Sequence, residues 1–319
     1  MKRLFLLNPV LIAFIVFIAV PSFGLENMRW EKVAPSLQSR TEVAVAALDG
    51  KIYLMGGFTF LSVTRRVGVY DPLSDRWNEI SKLPVPLHHA GAGVVNGMIY
   101  VVGGFEGFSW TPSNKVFAYD VKKDRWLKKQ NMPTARGALG VGVWEEKLYA
   151  IGGFGENADG KVNVDANEVY DPLADRWEKK APIPKARDHL AIAELNGKIH
   201  AIGGRLGGAY SQNLARHDIY DPRSDQWLPA APLPKPRSGI AAAVLKGHIY
   251  VFGGEAPAGT FHDNDAYNPS TDQWEAALPM PTARHGLGAA TVGEKIYVIA
   301  GGTKPGGSRS QVNEVFQLD

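Results

Sequence analysis

The chain has no cysteine among its 319 residues, which excludes disulfides, thiolate metal ligands, cysteine nucleophiles and a lipid carried on an N-terminal cysteine. A surplus of charge of one sign is missing too. Lys and Arg number 35 against 32 Asp and Glu, a net charge of +3, so there is no electrostatic footprint for nucleic acid and none is expected as a partner. Long apolar runs are confined to the first two dozen residues, and no stretch beyond them reads as a helix longer than a turn. Apolar side chains nevertheless make up 45% of the chain, which excludes a disordered polar polymer and indicates a globular body.

Residues 1–24 differ from the rest. Lys2 and Arg3 precede an apolar run from Leu4 to Val20, interrupted by Asn8 and Pro9 and followed by Ser22 and Gly24. This pattern reads as a secretory signal cleaved after Gly24. The uninterrupted apolar part is short for a membrane span of about 20 residues; an uncleaved anchor is the alternative. Either way the body, residues 25–319, is expected outside the cytoplasm, in the periplasm or secreted, with no membrane span once the signal is removed.

Self-similarity then dominates. The string KIYLMGG from Lys51 returns as MIYVVGG, KLYAIGG, KIHAIGG, HIYVFGG and KIYVIAG, six copies at a period near fifty. Trp30, Trp77, Trp126, Trp177, Trp227 and Trp274 form a second series, and an Arg stands ten residues after five of them, at Arg40, Arg136, Arg187, Arg237 and Arg284. Leu87 occupies that place after Trp77. Only the stretch between the Gly pair and the next Tyr varies, from 13 to 17 residues. Each unit therefore reads as four strands: an apolar run, a two-residue hairpin such as Asp49-Gly50, a β-branched run ending in Gly-Gly, and two further strands separated by the turn of YDPLADRW. Runs such as Ile52–Met55 are apolar on both faces and need sheets stacked on either side.

The combination of Gly-Gly, Tyr-Asp-Pro-x-x-Asp-x-Trp and Pro-x-x-Arg, as in YDPLADRW from Tyr170 and MPTAR from Met132, resembles the kelch repeat over residues 30–319. The resemblance implies an all-β fold, a six-bladed β-propeller. The last unit ends at Asp319 without its fourth strand, whereas Trp30 begins a strand with no preceding three, so the N-terminal strand is expected to complete the last blade and close the ring.

In an antiparallel four-strand meander the variable loops and the Trp-to-Arg links share one end, which is the expected binding face. The repeated Arg residues are expected to bond backbone carbonyls, the Gly pairs to permit close approach, and Trp and Tyr to fill the seams between blades. His200, standing where the other repeats have Tyr, is expected to be a core histidine satisfied by a hydrogen bond. In kelch domains that bind peptides, positions after Gly-Gly and after the Arg reach the ligand. The resemblance therefore makes Phe58, His88, Phe105, Trp110, Phe154, Asp188, Arg205, Glu255 and His285 the candidate ligand-binding face, with aromatics in blades one to three and polar groups in blades four to six. Aromatics beside polar groups suit a sugar or a mixed peptide.

The expected function is an exported kelch-repeat binding or scaffold protein for a peptide, a protein or a carbohydrate. The alternative is a periplasmic sugar-modifying enzyme resembling the sialic acid mutarotases, although GGEAPAGTF offers Glu255 without an Arg in the following loop. Only Arg205 or His285 from another blade could partner it. Galactose oxidase shares kelch blades, but its Tyr–Cys copper centre is excluded here. No catalytic residue is assigned. The loops ENADGKVNVDANE from Glu156 and FHDNDAY from Phe261 lack metal-loop spacing and read as solvated, so no metal or other cofactor is expected.

Overall fold

Six antiparallel sheets of four strands carry the chain, and each sheet is one repeat. The computed structural model describes residues 27–319; the segment read as a signal, with its cleavage point, lies outside the described residues. Blade one consists of Ala44–Leu48, Lys51–Met55, Val67–Asp71 and Arg76–Ile80 in sequential order, and blades two to five repeat that order. Blade six takes Gly288–Val292, Lys295–Ile299 and Asn313–Leu318 from the C-terminus and Met28–Lys32 from the N-terminus, with Trp30 opposite Phe316. The ring is closed as the repeat phase requires. The one helical element among the described residues is the 3-10 turn Val121–Lys123, and none of those residues forms a helix long and apolar enough to cross a membrane.

The repeat signature has a specific structural use at the blade seams. In YDPLADRW, the Tyr170 hydroxyl donates to Asp175, which also accepts the Gln130 N–H of the preceding blade at 2.9 Å. Trp177 Nε1 donates to the carbonyl of the same Gln130, again at 2.9 Å. Asp and Trp thus clip both backbone groups of one residue across the seam. The clip recurs at Ala34, Ser81, Ala181 and Ala231. At the closing seam Trp30 donates to Leu278 O while Met28 Sδ takes the Leu278 N–H.

The five repeated Arg side chains are fully buried. Arg136 donates to the carbonyls of Gly152, Ala150 and Thr134, each at 2.8 Å, as the sequence reading expected. Four of the five also pair with a buried carboxylate on their blade's third strand: Arg136 with Glu168, Arg187 with Asp218, Arg237 with Asp265 and Arg284 with Glu314. This corrects the solvated reading of two loops, because ENADGKVNVDANE ends in the buried Glu168 and FHDNDAY holds the buried Asp265. Leu87 is explained as well. Where blades three to six have a carboxylate, blade one has Gly68 and blade two has Phe117, and Leu87 and Phe117 lie buried in one apolar cluster.

Candidate functional site

The links after the Arg positions turn inward at the axis. Their second residues, Glu42, His89, Ala138, His189, Gly239 and Gly286, all have φ between 52° and 65°. Around the ring, each N–H donates to the preceding member's carbonyl: Glu42 to Gly286, His89 to Glu42, Ala138 to His89, His189 to Ala138, Gly239 to His189 and Gly286 to Gly239, at 2.7–3.1 Å. This closed circle of six hydrogen bonds forms a throat of about 90 Å³. Left-handed backbone favours glycine, and a side chain there is retained at a cost that tends to be met at functional sites. Blades one, two and four place Glu42, His89 and His189 on it.

Above the throat, on the loop face, lies a pocket of about 220 Å³ lined by the aromatic rings of Phe58, Trp110 and Tyr210, by the polar groups of Glu42, His89, Arg205 and Glu255, and by Gly208, Gly306 and Gly307. Aromatic and polar groups interleave, His89 packing on Trp110 with ring centroids 4.8 Å apart. Arg205 anchors the polar groups. Its Nη1 donates to Glu255 Oε1 at 2.7 Å, its Nη2 to His189 Nε2 at 2.7 Å and its Nε to Asp188 at 3.2 Å. Because His189 Nε2 accepts from Arg205, its Nδ1–H donates to Asp188 at 2.5 Å, which sets the tautomer. His285 is buried behind the lining carboxylates, its Nδ1 3.3 Å from Glu42 and 3.5 Å from Glu255.

A proton count along the His88–His89 chain is informative. His88 Nε2 lies 3.1 Å from Gly107 O, the two Nδ1 atoms 2.5 Å from each other, and His89 Nε2 3.0 Å from Glu42 Oε2. Three contacts between acceptors need three protons, and two neutral imidazoles supply two. The third proton is opposed by burial, which pushes His88 down to about 4 and His89 well below its ordinary value, and is favoured by the Glu42 charge. Burial works against Glu42 as well, but the surrounding imidazoles outweigh it and hold its carboxyl well below the usual range.

Of the candidates from sequence, Phe58, Trp110, Arg205 and Glu255 line the pocket, and His285 is buried against Glu42 and Glu255 outside that lining. Asp188 is buried beneath Arg205. His88 and Phe105 are buried against Trp110, with ring centroids 4.8 and 5.1 Å from it. Phe154 is not in the pocket and packs at Gly208. Glu42, His89 and Tyr210 line the pocket and were not among the candidates. The signal for Glu42 was present: it stands two residues after Arg40, in register with His89 and His189, where other repeats have Gly or Ala.

Comparison with known proteins agrees with this architecture. The KLHDC2/KLHL20/DRC7 Kelch-repeats domain matches residues 140–319, and the Kelch motif matches residues 39–84 and 86–133. Similar proteins include Kelch-like protein 35 of Mus musculus, 30% identical over 178 residues, 55% of this chain and 29% of that protein. Kelch-like protein 7 of Homo sapiens is 40% identical over 185 residues, 58% of this chain and 31% of that protein. The chain therefore matches only about three tenths of the length of these relatives. Among solved structures, that of YjhT superposes with a TM-score of 0.77 at 16% identity, covering 88% of this chain and 95% of that one, which bears on the fold alone.

Proposed function

The chain belongs to the kelch-repeat family, and from that premise we propose that its propeller binds a small polyhydroxylated ligand of the carbohydrate class in the pocket at the loop face. The observation that carries this reading is that three aromatic rings, Phe58, Trp110 and Tyr210, and three charged groups, Arg205, Glu42 and Glu255, line one cavity. An aromatic face stacks on the apolar face of a sugar ring, and fixed carboxylate and guanidinium groups take its hydroxyls. Size argues in the same direction. About 220 Å³ is below the 300–1,000 Å³ typical of drug-sized ligands, so a single ring suits the site better than a peptide. Titration of monosaccharides, followed by tryptophan fluorescence, tests this: Trp110→Ala should abolish a saturable signal. Tight binding of peptides, indifferent to Trp110→Ala and Arg205→Ala, would refute it.

A second reading, acid–base catalysis on the bound sugar, is favoured by one observation, the 3.0 Å contact of His89 Nε2 with the Glu42 carboxylate at the pocket. A group that can both give and take a proton beside a sugar could open and reclose its ring. Anomer interconversion followed by NMR, lost in Glu42→Gln with sugar binding retained, would support it. Export of the body is part of the proposal and rests on Lys2, Arg3 and the apolar run that follows. The mass of the protein recovered outside the cytoplasm should correspond to a chain starting at Leu25.

A further inference from the structure

The His285 imidazole is fully buried, and its ring nitrogens make no contact of good hydrogen-bond geometry, Nδ1 being held only at ion-pair distance. A buried polar group held only by long contacts is incompletely satisfied, so the position can take an occupant. Its Nδ1 faces two carboxylates, Glu42 Oε1 at 3.3 Å and Glu255 Oε2 at 3.5 Å, and the three atoms all lie within 4.8 Å of one another. The two nitrogen-to-oxygen separations are long for N–H···O bonds and match the spacing of neighbouring metal ligands. Bonds of about 2.0–2.1 Å to a tetrahedral metal ion place neighbouring ligand atoms about 3.3–3.4 Å apart.

The geometry points to a divalent transition-metal site formed by Glu42, Glu255 and His285, reached from the mouth pocket through the two carboxylates that line it. One nitrogen and two oxygen donors without thiolate suit zinc or manganese. The surroundings are those of a supported site. Glu42 keeps its other oxygen on His89 at 3.0 Å, and Glu255 keeps its other oxygen on Arg205 at 2.7 Å. Gly306 N–H donates to Glu255 Oε2 at 2.8 Å, leaving that oxygen a second lone pair. Arg205 meets two of the three carboxylates, Asp188 and Glu255, whereas Glu42 faces only imidazoles, His89 and His285, so among the described residues Arg205 is the one permanent cation beside three carboxylates. Access exists because Glu42 and Glu255 both line the open pocket.

This inference goes beyond the ligand-binding reading and is tested with the metal alone. The full chain, untagged and stripped with a chelator, is titrated with Zn²⁺ by calorimetry and with Co²⁺ by visible absorption, in the absence of any sugar. One ion per chain, a four-coordinate Co²⁺ spectrum and a higher melting temperature are expected. His285→Ala and Glu255→Gln should each weaken binding by at least about tenfold, and His262→Ala should not. Circular dichroism reports whether each variant folds, and the milder Glu255→Gln carries the test if His285→Ala does not. The inference is overturned by the absence of saturable binding below roughly 1 mM free ion, which would leave a proton on His285 as the occupant. It is also overturned by binding that both substitutions leave unchanged.

Discussion

Blades two and three hold the same geometric position in two chemical forms, and exchanging them is a sharp test of how the ring is stabilised. Blade three buries Arg136 against Glu168 at 2.6 Å, both at most 1% exposed; blade two buries Leu87 and Phe117 at the matching places. Arg136→Leu alone strands the Glu168 carboxylate, left with Thr134 Oγ1 at 2.7 Å, and should cost about 3–5 kcal/mol. Glu168→Phe alone strands the guanidinium, but the carbonyls of Gly152, Ala150 and Thr134 still hold it, so a cost near 3 kcal/mol is expected. The double substitution removes both charges and refills the space. Against the neutral to favourable outcome of such replacements stand three carbonyls that lose a donor, about 1 kcal/mol each, so the double variant should lie within about 2 kcal/mol of the parent. The coupling is then roughly 4 kcal/mol or more, well beyond additivity error. Denaturant midpoints of the four proteins, followed by tryptophan fluorescence and circular dichroism, give the cycle. A double variant as unstable as the two single losses added together would refute the reasoning, because the carbonyl contacts and not the ion pair would then hold the link.

Further outcomes follow from other contacts. Trp30 packs on Phe252 and Phe316 and donates to Leu278 O, so Trp30→Ala should open the last blade and cost about 3 kcal/mol, read as a fall in melting temperature. An unchanged melting temperature would show that the N-terminal strand does not secure the ring. Asp225→Ala removes the acceptor shared by Tyr220 and the Ala181 N–H, and should cost about 1–3 kcal/mol in the same assay. Burial pushes His200 down to about 3, helped by His217, and burial likewise pushes His217 down to about 4, against an unfolded value near 6.5. The unfolded chain therefore binds the extra protons first. Stability should be flat above pH 6.5 and fall on acidification, by roughly 2 kcal/mol per imidazole at pH 5; a denaturant midpoint independent of pH over that range would contradict it.

How much of this was legible in the sequence depends on whether the information repeats. The blade count, the strand order and the closure by Trp30 follow from spacings seen six times, and the structure carries them in register. The Arg series was readable as a carbonyl anchor because it, too, recurs. Its carboxylate partners were not seen: they vary between Asp and Glu, are missing from two blades, and two of them end stretches that look like polar loops until Glu168 and Asp265 are placed on strands. His200 shows the middle case, where a break in the pattern flagged the residue and the fold supplied its partner, His217 at 2.9 Å.

The axial site lies at the far end of that range. Glu42, Glu255 and His285 are more than 200 residues apart at the extremes and come from three blades, so no spacing could join them; only the closure of the ring sets Glu42 against His285. What the sequence did hold was a conflict of local preference. Two residues past each Arg position the backbone is left-handed, which Gly239 and Gly286 suit and Glu42, His89 and His189 do not. A polar side chain kept at a position that favours glycine is a local inconsistency, and such inconsistencies concentrate where function opposes stability. That gives the conflict a measurable consequence. Replacing Glu42 by Gly should relieve backbone strain while removing the carboxylate that both imidazoles face, so the variant should fold and lose ligand and metal binding together. If Glu42→Gly retained both, the ring of left-handed residues would be a device of closure alone, and the site would have to be sought elsewhere on the loop face.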